Sequence, residues 1–370
     1  MRHATALVIL LGLVLALPAA GQIGTVLKKF PSPDDVYGLT VVGDSVWGAT
    51  FLDTPPILYE FDKKTGAVLS SLTHAYTYPF GLGWDSRRMQ FVLTSASHGT
   101  VVRVDRTGQV TASLKVPTSA SVGVAYDWAR DGYWVTDWSA KLLYLMDAVS
   151  GATLQPPFDL KGPGATRASD VGFSSENDIV VVVDRDTEAA FLFDAGSPPT
   201  LRNIVSLKAA AIPLGAKGAA IDPRRQTLYT DQTSTPYTVL EIDIGLPRVE
   251  ASDTVAVGKT LAIAWTATAS PGRVYQAGAS LAEGMGFVLG SRYLPIRLDQ
   301  LFWLSLANPV LFSKFSGVLD PGGTAAGGVT IPAVPMLAGI DFYLAFVTVW
   351  PAAPSGIEAF SGAWKVSITK

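Results

Sequence analysis

The sequence contains no cysteine. Disulfides, thiolate metal centres and a cysteine-linked lipid anchor are therefore excluded. Histidine is almost missing: of three residues, His3 lies at the extreme N-terminus, leaving His74 and His98. Neither has a partner at metal or triad spacing, so serine hydrolysis of the Ser-His-Asp kind has no support. Charged residues make up only 16% and the net charge is -3. Lys and Arg form no cluster, so no nucleic-acid footprint is present. Gly162-Pro163-Gly164 and Gly322-Gly323 are turns without a phosphate-loop context. Beyond the first 17 residues no apolar run is long enough to cross a membrane, and the run at 342–350 suits a buried strand.

What is present begins with a leader. Arg2 precedes an apolar stretch at 4–17, followed by Pro18, Ala19, Ala20 and Gly21. So short a stretch reads as a cleaved signal peptide over residues 1–21, with Gln22 as the first mature residue. The expected location is secreted, periplasmic or on the cell surface. The full sequence is 48% hydrophobic and can bury a large core, without disulfides to assist it.

A repeat organises residues 22–246. Its clearest copy starts at Val122, VGVAYDWARDGYWVTDWSAKLLYLMDAVSGA. An apolar strand follows Gly123, Asp131-Gly132 turns, the second and third strands end at Asp137 and Asp147, and Ser150-Gly151 turns into a fourth. Other copies start at Tyr37 (YGLTVVGDSVWGATF), Phe80 (FGLGWDSRRMQFVLTS), Asp170 (DVGFSSENDIVVVVDRD) and Lys217 (KGAAIDPRRQTLYTDQ). The Asp closing the third strand recurs at 62, 105, 147, 194 and 243, at spacings of 43, 42, 47 and 49. Four short strands per period in the forties specify a β-propeller of five blades, or six if one copy has diverged beyond recognition. The fifth copy lacks its outer strand. The segment GTVLKKF from Gly24 reads like GAVLSSL from Gly66, so the N-terminus is expected to supply it. The pattern resembles the NHL-type propeller repeat, apolar-Asp-x-x-Gly-x-apolar-Tyr-Val-x-Asp and then an apolar strand. That resemblance implies architecture and no single activity.

Residues 247–370 differ in composition, with fewer charges and more Gly, Ala and Pro. Leu261, Ile263, Trp265 and Ala267 alternate with polar or small residues, as on a half-buried strand. Further strands are expected at 274–281, 302–306, 315–319, 342–350 and 363–369. Short strands joined by Gly/Pro turns point to a β-sandwich. DPGGTAAGGVTIP, the strand start at 338–343 and the terminal WKVSITK resemble a β-rich C-terminal module of secreted bacterial proteins. The resemblance implies a structural, sorting or surface-attachment role.

The NHL-type resemblance places ligands on the loops after the second and fourth strands. Second-strand ends carry Asp53, Ser95, Asp137, Asp184 with Asp186, and Asp231. Around one axis, carboxylates such as Asp137, Asp184 and Asp231 make an oxygen-rich site for a hard cation such as Ca²⁺. An Asp leaving a strand also ties down its own loop, and this second reading stands beside the first. Tyr37, Phe80 and Trp138, with Tyr76 and Tyr78, supply aromatic surface near Gln232 and His98, suited to sugar rings or to blade packing. Gluconolactonase- and regucalcin-type propellers resemble the chain in repeat style. Their metal-binding Glu-Gly-Pro is replaced here by Asp34-Asp35-Val36-Tyr37-Gly38, and the late-blade histidines of streptogramin lyases are missing. The balance favours a secreted binding or scaffold protein for an extracellular glycan, small molecule or protein. A metal-dependent lactonase, lyase or glycan-degrading enzyme is the alternative.

Overall fold

The computed structural model describes residues 23–95, 97–118, 120–208, 215–232 and 235–370. The leader and its expected cleavage point lie outside the described residues. Five four-stranded antiparallel sheets follow one another along the chain. Blade 1 comprises Val36–Val42, Ser45–Thr50, Ile57–Asp62 and Val68–Thr73, and blades 2 to 4 repeat the order. The inner strands of blades 1 to 5 touch in sequence, and the inner strand of blade 5, Ala220–Ile221, touches that of blade 1. The ring is therefore closed, and the fold is an all-β propeller.

Closure comes from the N-terminus. Val26–Pro31 pairs antiparallel with Thr238–Ile242 and forms the outer strand of blade 5. Gly24 and Gly66 hold the same left-handed conformation ahead of their outer strands (φ +87° and +73°). Phe30 anchors the closing strand in a core shared with Phe61, their ring centroids 5.5 Å apart.

Burial explains the hydrophobic grading of each blade. The middle strand of blade 4, IVVVVD over Ile179–Asp184, is buried throughout, whereas the outer strand Val68–Thr73 of blade 1 is largely exposed. Middle strands lie between two neighbouring blades and read as continuous apolar runs. Ion pairs staple the blades at the lower face, where the first-to-second and third-to-fourth strand turns lie. Arg88 pairs with Asp85 of its own blade (2.9 Å) and Asp131 of the next (2.7 Å). Arg130 repeats this with Asp127 and Asp178, both at 2.7 Å. Lys63 of blade 1 reaches Asp222 of blade 5 at 2.9 Å.

The C-terminal residues form two principal sheets with one common core. Arg248–Ala251, Thr260–Thr266, Thr324–Thr330 and Phe312–Ser313 make the first. The second is built around Asp341–Val349, flanked by Val274–Ser280 and Trp364–Thr369. Leu261, Ile263 and Trp265 of the first pack with Tyr275, Leu344 and Phe346 of the second. The expected strand at 302–306 is instead the helix Gln300–Ala307. Asp299 caps it, accepting the Phe302 N–H, and QLFWLSLA contains no β-branched residue. A short apolar run does not by itself separate strand from helix. A hairpin, Glu283–Leu289 with Arg292–Ile296, was not anticipated.

These C-terminal sheets sit against the lower face of the propeller. The Asn177 amide donates to the Phe360 carbonyl and accepts from the Phe360 N–H, both at 2.8 Å. A Cβ on Gly362 would lie 2.1 Å from the Pro223 carbonyl oxygen, so only glycine permits this approach. The upper face, with its second-to-third strand loops, is left uncovered by these contacts.

Candidate functional site

Strand register decides which side chains meet at the upper mouth of the channel. In blade 3 Gly123 pairs with Thr136, and in blade 4 Asp170 pairs with Val183 at the same place. Blade 5 pairs Ala220 with Tyr229, which sets Gly218 opposite Asp231. The Thr94 hydroxyl accepts the Gly81 N–H at 3.1 Å, and that of Thr136 accepts the Gly123 N–H at 3.0 Å. Asp231 Oδ1 does this work in blade 5, taking the N–H groups of Lys217 (3.0 Å) and Gly218 (2.5 Å). Asp231 thus stands where blades 2 and 3 carry threonine, and Gln232 occupies the position of Asp137. The sequence count placed Asp231 one residue too far out, because the strings TDQ and TDW look alike while their pairing differs.

Two aspartates therefore break the repeat from within. Asp170 replaces a glycine that blades 1, 2, 3 and 5 keep at Gly38, Gly81, Gly123 and Gly218. Its carboxyl accepts N–H groups from Val171 (2.9 Å) and, in blade 5, Ala219 (2.8 Å). Burial drives its pKa well above the ordinary carboxylate range. Burial likewise pushes the Asp231 carboxyl up to about 7, against the opposing pull of the Gly218 N–H and the Lys217 charge. Among the described residues Asp231 Oδ2 has no hydrogen-bond partner. Lys217, only 2% exposed, pairs with both Asp35 oxygens at 3.1 and 2.9 Å.

Around this polar centre runs a rim with one residue from each blade. The Lys217 ammonium lies 3.3 Å from the centre of the Tyr37 ring. Tyr37 meets Phe80 edge-on at 4.9 Å, Phe80 meets Trp138 at 5.9 Å, and the Arg167 guanidinium covers Trp138 at 4.8 Å. Phe51 stacks on Tyr37 at 4.8 Å and carries Tyr78 at 5.9 Å. Tyr78 is 52% exposed and Leu52 72%. Tyr78 also holds φ +54°, a conformation costing a non-glycine residue about 1–2 kcal/mol. The repeated β-bulge at the start of the inner strand, between Val36 and Gly38 in blade 1, re-aims the intervening residue.

Other expected site residues go elsewhere. Asp137 takes the N–H groups of Ser139 (2.7 Å) and Ala140 (2.8 Å) and the Thr118 hydroxyl. Asp184 takes those of Thr166 (2.8 Å), Arg167 (2.5 Å) and Thr187 (2.9 Å). Both carboxylates are spent on their own loops. Among the described residues no three His, Asp or Glu side chains converge as a metal ion requires, so Asp137, Asp184 and Asp231 do not form the expected Ca²⁺ ring. Asp186 is exposed and lies 3.8 Å from Arg167. His98 bonds Ser95 at 2.8 Å and packs on Tyr76, at the margin of the rim. Sequence reading singled out Tyr37, Phe80 and Trp138 but missed Phe51, Arg167 and Lys217. The available signal was alignment: Lys217 precedes its glycine as Tyr37 and Phe80 precede theirs.

No family model matches the sequence, and no curated protein does. Among solved structures, the chain is similar to a glutaminyl cyclase from Myxococcus xanthus, at 11% identity and TM-score 0.48, covering 59% of this chain and 94% of that one. A catalytically inactive virginiamycin B lyase from Staphylococcus aureus with quinupristin matches at 14% identity and TM-score 0.38, covering 58% and 68%. The Cps50 (Swd1) β-propeller domain of Myceliophteria thermophila matches at 10% identity and TM-score 0.40, covering 59% and 99%. Two of these are named as enzymes and the third as a β-propeller domain.

Proposed function

We propose that the protein is a secreted, non-catalytic binding protein whose propeller rim takes up extracellular glycan chains. The carrying observation is the rim itself: Tyr37, Phe51, Tyr78 and Trp138 present half-buried or exposed rings on the face that the C-terminal sheets leave open. Sugar rings stack through their C–H faces on such platforms, while Asp186 and Arg167 accept and donate to hydroxyls. The strained, exposed Tyr78 fits a surface kept for contact rather than for stability. The C-terminal sheets, read as a β-sandwich, act as a support on the opposite face.

The test is titration of the mature chain with a panel of oligosaccharides, followed by Trp138→Ala and Tyr78→Ala. Each variant is expected to weaken binding about tenfold or more, as aromatic anchors do, with little change in Tm. Equal binding by both variants, or no binding across the panel, sinks the reading.

One observation favours a second reading, an acid–base enzyme acting on the same class of ligand. Asp231 combines a carboxyl raised to about 7 by burial with an oxygen that has no partner among the described residues, at the mouth of the channel. New reducing ends released from those oligosaccharides, and lost in Asp231→Asn, support catalysis. Binding that survives Asp231→Asn without any release supports the first reading.

A further inference from the structure

At its lower end the channel widens into a chamber of about 310 Å³, bounded by the inner strands of all five blades and by the unanticipated C-terminal hairpin. Its lining includes five aromatic residues, Trp84, Tyr126, Trp128, Phe173 and, from the hairpin, Tyr293. Trp128 and Tyr293 meet edge-to-face at 5.6 Å, one ring from each part of the molecule. Two carboxyl groups complete it, Glu176 from blade 4 and Glu283 from the hairpin. Among the described residues no Lys, Arg or His lines the chamber. Of the nearby arginines, Arg87 pairs with Asp131 at 2.8 Å and donates to the Trp128 carbonyl at 3.3 Å, and Arg88 pairs with Asp85 and Asp131. Trp84 already receives one cation, the Arg106 guanidinium 5.0 Å from its ring.

We propose that this chamber is a binding site for a small organic cation of the quaternary-ammonium class. Aromatic faces attract a cation through their quadrupoles, most strongly where water is excluded. The Glu283 carboxylate adds attraction of the same sign, while Glu176, taken by the Gln226 amide at 2.9 Å and raised to about 7 by burial, adds less. The volume lies at the lower limit of ligand pockets and suits a head group of a few heavy atoms. A bare metal ion is a poorer fit, because among the described residues no three ligating side chains converge. A quaternary ammonium has no N–H donors to satisfy, and the apolar floor of Leu82, Val124 and Val171 asks for none. The site is complete only when the hairpin is docked, so the C-terminal sheets become part of a binding site as well as a support. This inference is independent of the glycan reading, which concerns the opposite face.

The experiment titrates the full mature chain with choline and with 3,3-dimethyl-1-butanol, its uncharged isostere, following heat and tryptophan fluorescence. Choline is expected to bind at least about tenfold tighter than the alcohol. Glu283→Gln, an exposed position that leaves the fold unstrained, is expected to weaken choline several-fold and leave the alcohol unchanged. Trp84→Leu is expected to weaken choline more. Equal affinity for both probes, or no choline binding up to about 10 mM, overturns the proposal. Unchanged choline affinity in Glu283→Gln together with Trp84→Leu overturns it as well.

Discussion

Arg130 shows how much of the ring rests on single side chains. It neutralises Asp127, which is fully buried, and reaches Asp178 in the next blade through a two-pronged contact at 2.7 and 2.9 Å. Arg130→Ala leaves two carboxylates without their counter-ion and is expected to cost about 3–5 kcal/mol, read as a fall in the urea midpoint. His74 works differently. It is 4% exposed, neither ring nitrogen has a partner among the described residues, and burial lowers its pKa to about 4 from 6.5. The unfolded chain therefore binds a proton that the folded chain refuses. Stability is undiminished above pH 6.5 and is lost as the pH falls from 6.5 to about 4, by up to about 3 kcal/mol. Asp231 and Glu176, both raised to about 7 by burial, pull the other way between the ordinary carboxylate range and pH 7. The comparison must therefore be with His74→Leu, whose Tm relative to the parent is expected to rise steadily as acid is added. A constant difference from pH 7 to 4 contradicts this.

Among the elements, the strand Val26–Pro31 matters most, since without it Thr238–Ile242 presents an open edge. Phe30→Ala is expected to cost about 3–4 kcal/mol. A chain lacking residues 24–31 is expected to self-associate, visible as a rise in sedimentation coefficient with concentration. That strand was legible in advance, because Gly24 and Gly66 head matching strings. So was the blade pattern, since the closing Asp recurs with a turn-forming glycine after it. The candidate site was legible only in part. Tyr37, Phe80 and Trp138 stand out as large rings at repeat positions, but their contacts cross three blades and leave no local trace. Asp231 was misplaced because a repeat read by letters cannot tell which of two adjacent residues faces its partner strand. Lys217 drew no notice, since a lysine destined for burial looks like any other until Asp35 and Tyr37 are seen around it. The helix Gln300–Ala307 was read as strand because an eight-residue apolar run satisfies either period.

At the scale of the whole molecule, the propeller and the C-terminal sheets meet through a buried polar junction. Asn177, Gln226, Ser174 and the Phe360 backbone satisfy one another there, and Gly362 lets the two backbones touch. Asn177→Ala removes both bonds to Phe360 and strands the buried Phe360 amide. About 2–4 kcal/mol of stability should go, and calorimetry is expected to show two melting transitions in the variant against one in the parent. One unchanged transition means that the halves are not coupled through Asn177. The closing strand has a consequence in time as well as in space. Val26 leaves the ribosome long before Ile242, its partner, exists. At about 5–20 residues per second, this strand waits tens of seconds for the partner that completes its sheet. An early strand is thus the last to be paired, and the ring behaves as a clasp that cannot fasten until Ile242 has been made.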